Sequence, residues 1–433
     1  MQLQTFEIKG LFHKYNHRIA FPTTDENDDT ASLVILHGPN GIGKTTLLAM
    51  LNGLMELDFD PFRAVPFKSA RLTFNDGTSI SVAPRTTKQK DQEKQFLKVT
   101  FAKESVELHT RDKGAFDKNL QEEVNAFRER FYEHTRTVTV DFISIDRLRK
   151  ASREPHQPPY FFPGMETERP ISRDDVPPPY INAPRMFRPE PVDEESMSKR
   201  MQRFMREAQL EHRRFFSIGQ PDLFAKIIDR VTHPRGEEFR ADELLDRLER
   251  IRNSDTFAEK YHLARERWDY PQLKEVLASA KRSKSKQHVL PIIGSYVEVL
   301  ESRAEERDVL ANRLKTFEEV VNDFLLDKTV HVDARTGVTV VTKGTSETKL
   351  NELQLSSGEY HLLYLLVAAT TTRRRGTVIA IDEPEMSMHI EWQRKLLPAM
   401  LKCASMAQPQ LVVATHSPEI AADYPDQCLK LGG

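Results

Sequence analysis

One short stretch limits what this chain can fold into more than any other. Residues 38–45 read Gly-Pro-Asn-Gly-Ile-Gly-Lys-Thr and fit the phosphate-binding pattern G-x-x-x-x-G-K-[ST]. An apolar run at 33–37 precedes the loop and a helix-forming run at 46–51 follows it, which is the strand–loop–helix context that the pattern requires. Glycines let successive N–H groups face phosphate oxygens, and the helix N-terminus adds partial positive charge. The stretch therefore predicts a nucleotide site.

The residue types in this loop predict ATP and Mg²⁺ as its ligands. The ammonium of Lys44 would reach the β- and γ-phosphates, and the hydroxyl of Thr45 would bind Mg²⁺. The predicted ATP-binding set is Gly38, Asn40, Gly41, Gly43, Lys44, Thr45 and Thr46.

Length and composition restrict the remaining possibilities. At 433 residues the chain exceeds one compact core, so two or three structural units are expected. A net charge of −2 means that any DNA contact would need a local basic patch. Cys403 and Cys428 form no CxxC motif, which is typical of a reducing compartment. Without a long apolar stretch or a signal-peptide pattern, we predict a cytoplasmic protein with no membrane contact.

Strand patterns fill most of the first 150 residues. Alternating runs predict strands at 4–9, 18–21, 70–74, 78–82, 96–101, 106–108 and 138–145, and a helix at 116–133. The Asp-Gly pair at 76–77 marks a tight hairpin turn.

The middle of the chain differs in composition from the first 150 residues. Residues 155–191 hold eleven of the 25 prolines, which predicts an extended arm or linker rather than a helix or a central strand. A charge-rich helical block follows from 193 to about 328, and its last helix carries an apolar seam at Leu310, Leu314, Phe317, Val321 and Phe324. The basic run 281–286 could contact a phosphate backbone, although a solvated loop explains it better. A hairpin is predicted at 329–341.

Two apolar runs near the end of the chain finish in residues suited to nucleotide chemistry. The run 378–381 ends in Asp382, predicted to hold Mg²⁺ with Thr45, and Glu383, predicted to activate water as a general base. The run 411–415 ends in His416, which could hydrogen-bond the γ-phosphate and the attacking water. Glu383 and His416 are the predicted catalytic residues.

A third motif, Ser356-Ser357-Gly358-Glu359, stands before an apolar helix. Hydroxyl groups and a glycine at a helix N-terminus can bind an anion, because several N–H groups there lack helical partners. A simple N-cap by Ser356 or Ser357 is the alternative interpretation.

These motifs, in this order, resemble the ABC-type ATPase head of the SMC, RecF and OLD proteins. GPNGIGKTT is similar to the Walker A motif, LSSGE to the signature, VIAIDEPEMSMH to the Walker B motif with its D-loop, and ATHSP to the switch histidine. The resemblance covers about 1–150 and 329–433. It implies an α/β P-loop ATPase head, a mixed sheet with an antiparallel β-subdomain, carrying a large helical insertion. The expected domains are 1–150 and 329–433 for the two halves of the head, 151–192 for the arm and 193–328 for the insertion.

The resemblance also implies an assembly. Two such heads sandwich two ATP molecules, so Ser356, Ser357, Gly358 and Glu359 would act in trans within at least a homodimer. The sequence departs from transporter heads at 143–149, where no glutamine stands and Asp146 or Arg147 is the expected substitute. Ser357 and Glu359 also occupy positions where glycine and glutamine are commoner.

Residues 382–393 are most similar to stand-alone ATPases of bacterial anti-phage operons such as Septu and PARIS. This implies an ATP-hydrolysing, oligomerising sensor or scaffold that works with a separate effector, for example a nuclease. The alternative is a RecF- or SMC-like DNA maintenance ATPase that binds DNA in an ATP-dependent way. A transporter motor is less well supported, because the glutamine is missing and the insertion is large.

Overall fold

The computed structural model describes residues 1–22, 32–89, 92–109, 118–143, 196–210, 239–263, 268–282, 286–344, 347–374, 376–405 and 407–431. The proline-rich arm, the predicted glutamine substitutes Asp146 and Arg147, and residues 283–285 of the basic run lie outside this part. The chain divides into two units. The first is Met1–Glu195, Ser357–Leu362 and Thr372–Gly433, and the second is Ser196–Ser356 and Leu363–Thr371.

The first unit contains a six-stranded antiparallel sheet. Its strands are β1 (Leu3–Leu11), β2 (Tyr15–Ala20), β4 (Ser69–Phe74), β5 (Ser79–Gln89), β6 (Gln92–Phe101) and β7 (Glu104–His109), in the order β2-β1-β4-β5-β6-β7. The turn between β4 and β5 uses Gly77 at a φ of 84°, a left-handed conformation that favours glycine, as the Asp-Gly pair predicts. Helix α3 (Lys118–Thr135) brings Phe131 edge-on to Phe101, with ring centroids 5.1 Å apart.

A five-stranded parallel sheet forms the other layer of this unit. It contains β3 (Ser32–His37), β8 (Val140–Ile143), β12 (Val378–Asp382), β13 (Gln410–Thr415) and β14 (Cys428–Lys430), in the order β14-β3-β13-β12-β8. The central strands are continuous buried apolar runs, as expected for a parallel sheet that is covered on both faces. Helices α1 (Lys44–Glu56), α2 (Asp60–Ala64), α9 (Ile390–Ala404) and α10 (Pro418–Ala421) complete the unit.

One buried side chain ties the two sheets together. Gln410, only 1% exposed, accepts a hydrogen bond from the Leu3 N–H at 2.9 Å and donates one to the Leu3 carbonyl at 2.8 Å. The amide therefore satisfies both backbone groups of Leu3 at the start of β1 from the start of β13. Such pairing is needed because a buried peptide group without a partner is costly.

The second unit is mainly helical and also contains a small sheet. Its elements are α4 (197–210), α5 (Ala241–Glu259), α6 (Tyr270–Arg282), α7 (Lys286–Phe324), β9 (Lys328–Asp333), β10 (Gly337–Thr342) and β11 (Lys349–Leu350), and the strands run in the antiparallel order β11-β10-β9. Of the predicted seam on α7, Leu310 is half-buried and the other four residues are buried. Two ion pairs join α5 to α7, Arg247 with Glu301 and Asp255 with Arg307.

The predicted fold class, an α/β P-loop head with an antiparallel β-subdomain and a helical insertion, is confirmed at the level of its sheets and helices. Helix α8 (Ser357–Thr371) has residues in both units. The predicted boundaries after 150, 192 and 328 stay predictions, because the first two fall outside the described residues. In the described ranges, no helix is both long and apolar enough to cross a membrane.

We expect Gln410→Leu to destabilise the first unit by about 2–4 kcal/mol, because it leaves both polar groups of Leu3 buried without partners. Urea unfolding followed by circular dichroism measures the loss. Gln427→Leu is the matched control, since Gln427 is exposed and its replacement should change the unfolding free energy little. Equal stability of the two variants would contradict the bridging role.

Candidate functional site

The loop between β3 and α1 has the conformation that its sequence predicts. Gly41 and Gly43 have φ angles of 84° and 96°, and α1 begins at Lys44. A Cβ at Gly43 would lie 3.0 Å from side-chain atoms of both Leu11 and Phe12, so a larger residue there would be crowded as well as strained. The Lys44 ammonium donates to the carbonyls of Gly38 at 2.7 Å and Pro39 at 3.1 Å, which places it inside the loop.

Asp382 lies at the carboxyl end of β12, beside the first turn of α1. Burial raises the pKa of this carboxyl from its ordinary value to about 6, and the neighbouring charge of Glu383 adds to the rise, while a hydrogen bond from the Thr45 side chain and the charge of Lys44 oppose it. Oδ1 is buried and has no hydrogen-bond partner in the described ranges. The buried Oδ1 of Asp382, which has no hydrogen-bond partner among the described residues and lies near the Thr45 hydroxyl, fits a Mg²⁺ site, because Mg²⁺ prefers oxygen ligands.

The predicted catalytic residues are neighbours. The chain turns sharply at Glu383, whose φ is 48° and whose N–H donates to the Ala414 carbonyl at 2.8 Å. His416 follows β13, and its Nδ1 lies 3.7 Å from Glu383 Oε1. Both side chains reach solvent, with 49% of His416 and 25% of Glu383 exposed, so both are accessible to a substrate.

Sequence reasoning missed a second glutamate at this site. Glu385 is buried, and its Oε1 accepts hydrogen bonds from the Thr415 hydroxyl at 2.7 Å and from the backbone N–H groups of His416 at 2.9 Å and Ser417 at 3.1 Å. His416 Nδ1 lies 3.1 Å from the same oxygen. The available signal was a carboxylate two residues beyond Glu383, on the far side of a proline.

The signature motif packs against the residues that follow Glu383. Ser356 and Ser357 are exposed, Glu359 is half-buried, and Gly358 is buried. A Cβ on Gly358 would lie 2.4 Å from the Ser387 carbonyl oxygen. One turn further along α8, His361 donates from Nδ1 to the Met386 carbonyl at 2.9 Å, and burial lowers the pKa of this imidazole.

These contacts define the turn segment, residues 383–388, which lies between the first turns of α8 and the end of β13. Glu383 and Ser387, at φ angles of 48° and 61°, give it two left-handed turns. Of the remaining predicted nucleotide-binding residues, Asn40 is exposed within the P-loop, and Thr46 is half-buried in the first turn of α1.

A comparison with protein families identifies residues 200–423 as matching the family described as "AAA domain, putative AbiEii toxin, Type IV TA system". The match covers more than half of the chain. This chain belongs to that family. Within this AAA-domain family, the matched region contains the signature motif, Asp382, Glu383 and His416, and it begins after the P-loop.

Solved structures with a similar outline are heads of SMC proteins. An Smc head domain with an extended coiled coil, bound to the C-terminal domain of ScpA and derived from Pyrococcus furiosus, is 11% identical; the alignment covers 98% of this chain and 91% of that chain, with a TM-score of 0.41. The SMC head domain from Thermotoga maritima is 10% identical over 98% of this chain and 92% of that chain, with a TM-score of 0.31. Because identities and scores are this low, these likenesses carry no further argument. No curated protein matches the chain.

We expect Asp382→Asn to stabilise the protein at pH 8 without Mg²⁺ by about 1–3 kcal/mol. The folded-state pKa of about 6 lies above the ordinary 3.8, so ionising Asp382 costs the folded state up to about 3 kcal/mol above pH 6 and nothing below pH 4. Thermal unfolding across this pH range should therefore show that Asp382→Asn is more stable than the wild type at pH 8, and that this difference disappears below pH 4. Asp426→Asn, at an exposed position, is the control. A less stable Asp382→Asn variant at pH 8 would disprove this account of the buried charge.

We expect Gly358→Ala to destabilise the first unit although alanine favours helices, because the methyl group would press on the Ser387 carbonyl. A loss of about 1–3 kcal/mol should appear in thermal unfolding. Ser357→Ala changes the adjacent exposed residue and should leave stability within about 0.5 kcal/mol of the wild type. If both variants unfold at the same temperature as the wild type, the close packing at Gly358 does not restrict the residue at that position.

Proposed function

We propose that this protein binds and hydrolyses ATP with Mg²⁺ at the carboxyl edge of its parallel sheet. The observation that supports this is the convergence of a P-loop, a buried carboxylate beside Thr45, and the adjacent pair Glu383 and His416 on three neighbouring strand ends. Ligands bind at this edge in open α/β sheets.

Each residue has a chemical role in this proposal. The ammonium of Lys44 and the loop N–H groups bind the phosphates, and Thr45 and Asp382 hold the metal ion. Mg²⁺ supplies positive charge to phosphate oxygens when it is bound. A carboxylate oxygen of Glu383 accepts one proton of the attacking water, and Nε2 of His416 accepts a hydrogen bond from the same water. The partial exposure of both side chains supports these roles.

We further propose that the protein acts as at least a homodimer. Ser356 and Ser357 are exposed at the N-terminus of α8, and the partial positive charge of a helix N-terminus favours an anion from outside the chain. In the proposed assembly, these two serines with Gly358 and Glu359 close on the ATP of the partner subunit. ATP occupancy would then control assembly.

The biological role that we propose is cytoplasmic defence of a bacterium against phage. The family description names a toxin and a toxin–antitoxin system, which supports a defence context at the level of the family. In this role the protein is the sensor or scaffold subunit, similar to the ATPases of PARIS or Septu, and a separate effector such as a nuclease delivers the response.

The alternative, a DNA maintenance ATPase of the RecF or SMC type, has weaker support. Its predicted DNA contact is the basic run 281–286, and in the described part of that run Lys281 is paired with Asp242 at 2.7 Å. An ion pair of this kind reduces the positive charge that is available to a phosphate backbone.

We expect Lys44→Ala to abolish ATP binding, and Glu383→Gln to retain binding but lower kcat at least about tenfold, because general bases contribute about 10²–10⁴-fold. Calorimetry with ATP and Mg²⁺ and a phosphate-release assay measure these effects. Lys402→Ala, an exposed lysine on α9, is the control and should match the wild type. Wild-type protein that releases no phosphate, alone or with its effector, would contradict the proposal.

The assembly and the defence role have separate tests. Light scattering of Glu383→Gln should show a monomer that dimerises with ATP if the nucleotide bridges two heads; a large oligomer without nucleotide would instead assign assembly to the second unit. In cells that carry the complete system, Lys44→Ala should lose phage resistance. Full resistance with this variant would exclude an ATP-dependent role in defence.

A further inference from the structure

One oxygen atom of Glu385 accepts three hydrogen bonds from the end of β13, and a ring nitrogen of His416 approaches the same atom. The donors are the Thr415 hydroxyl and the N–H groups of His416 and Ser417, at 2.7, 2.9 and 3.1 Å from Oε1, and Nδ1 of the His416 ring lies 3.1 Å from it. The other oxygen, Oε2, is buried and has no hydrogen-bond partner within the described residues. The carboxylate is only 6% exposed, so its charge is directed at these donors with little screening by water.

This arrangement determines which nitrogen of His416 carries the proton. A nitrogen lone pair and an ionised carboxylate oxygen repel each other at this distance, so the charge of Glu385 favours a proton on the ring nitrogen that faces it. Nδ1 is that nitrogen, and Nε2 lies on the opposite side of a ring that is half exposed. In the neutral ring, the Nε2 lone pair is therefore directed away from Glu385 and is accessible to a ligand.

The distances favour Glu385 over Glu383 as the orienting carboxylate. Nδ1 is 3.1 Å from Glu385 and 3.7 Å from Glu383, so the negative charge of Glu385 acts on Nδ1 from the shorter distance. The surroundings also differ, because the side chain of Glu385 is 6% exposed and that of Glu383 is 25% exposed. The buried carboxylate of Glu385 is suited to orienting the ring of His416, and the more accessible carboxylate of Glu383 is suited to proton transfer to and from water.

We propose that Glu385 is the positioning residue that holds His416 in its Nδ1–H tautomer with Nε2 facing the substrate side, which leaves Glu383 free to act on water. The inference rests on the proposed ATP hydrolysis. A carboxylate that orients a histidine whose other nitrogen meets the substrate is a general device in catalysis, in which the wrong tautomer costs activity rather than binding.

A purely structural role for Glu385, closing the end of β13, makes a different prediction. Glu385→Gln keeps an oxygen for the hydroxyl and the two N–H groups but removes the negative charge beside Nδ1. Thr415→Val removes one of the structural donors and keeps the charge. If the carboxylate positions the ring, only the first variant impairs catalysis; if it only closes the strand end, the two variants behave alike.

The experiment measures kcat and KM for ATP with Mg²⁺ in the wild type, Glu385→Gln and Thr415→Val. We expect Glu385→Gln to lower kcat at least about tenfold with KM within about twofold, and Thr415→Val to keep kcat within about twofold. Equal kcat in Glu385→Gln and the wild type, or equal losses in both variants, would overturn the proposal. An inactive wild type would instead count against the proposed function.

A second measurement needs no active variant. In protein with ¹⁵N-labelled histidine, long-range nitrogen–proton spectra at pH 8.5 distinguish the two tautomers, and His416→Gln identifies the signal. We expect the Nδ1–H form in the wild type and in Thr415→Val, and a shift towards Nε2–H in Glu385→Gln. An Nε2–H ring in the wild type would overturn the proposal even if Glu385→Gln failed to fold.

Discussion

Parallel pairing of β13 with both β3 and β12 is the constraint on which the site depends. The register sets Thr415 opposite His37 and Ala414 opposite Asp382, so the P-loop, the two carboxylates and the histidine all leave the sheet at one edge. The N–H of Glu383 continues this pairing by donating to the Ala414 carbonyl. A one-residue shift in either pair would exchange the two faces of a strand and separate these groups.

The unfavourable burial of the Asp382 charge at this edge is a local cost of the metal site that we propose. Burial opposes the ionisation of Asp382. The groups that favour its ionised form are the Thr45 hydroxyl and the charge of Lys44, both of which belong to the P-loop. A hydrophobic residue in place of Asp382 would make the folded state more stable, but it would provide no ligand for a cation. Stability and ligand binding therefore impose opposite demands at the same position.

Periodicity and motif spacing made much of the fold predictable from the sequence. The strands, the Asp-Gly turn and the apolar runs that end in Asp382 and His416 each carry their own local signal. Gln410 and Glu385 carry none, because their partners lie 407 and 30 residues away and only the folded sheets bring them together. Glu385 also lies between two left-handed residues, Glu383 and Ser387, and neither glutamate nor serine is a residue type that predicts such a backbone.

The turn segment has a further consequence because it is fastened on both sides. On one side the carbonyl groups of Met386 and Ser387 contact His361 and Gly358 of α8; on the other, Glu385 holds the end of β13. A displacement of the first turns of α8 would be transmitted through this short, strained piece of backbone to the ring of His416. The segment is thus a rigid connection, and a ligand that binds at the N-terminus of α8 would change the geometry of His416, the catalytic residue that we propose at the end of β13.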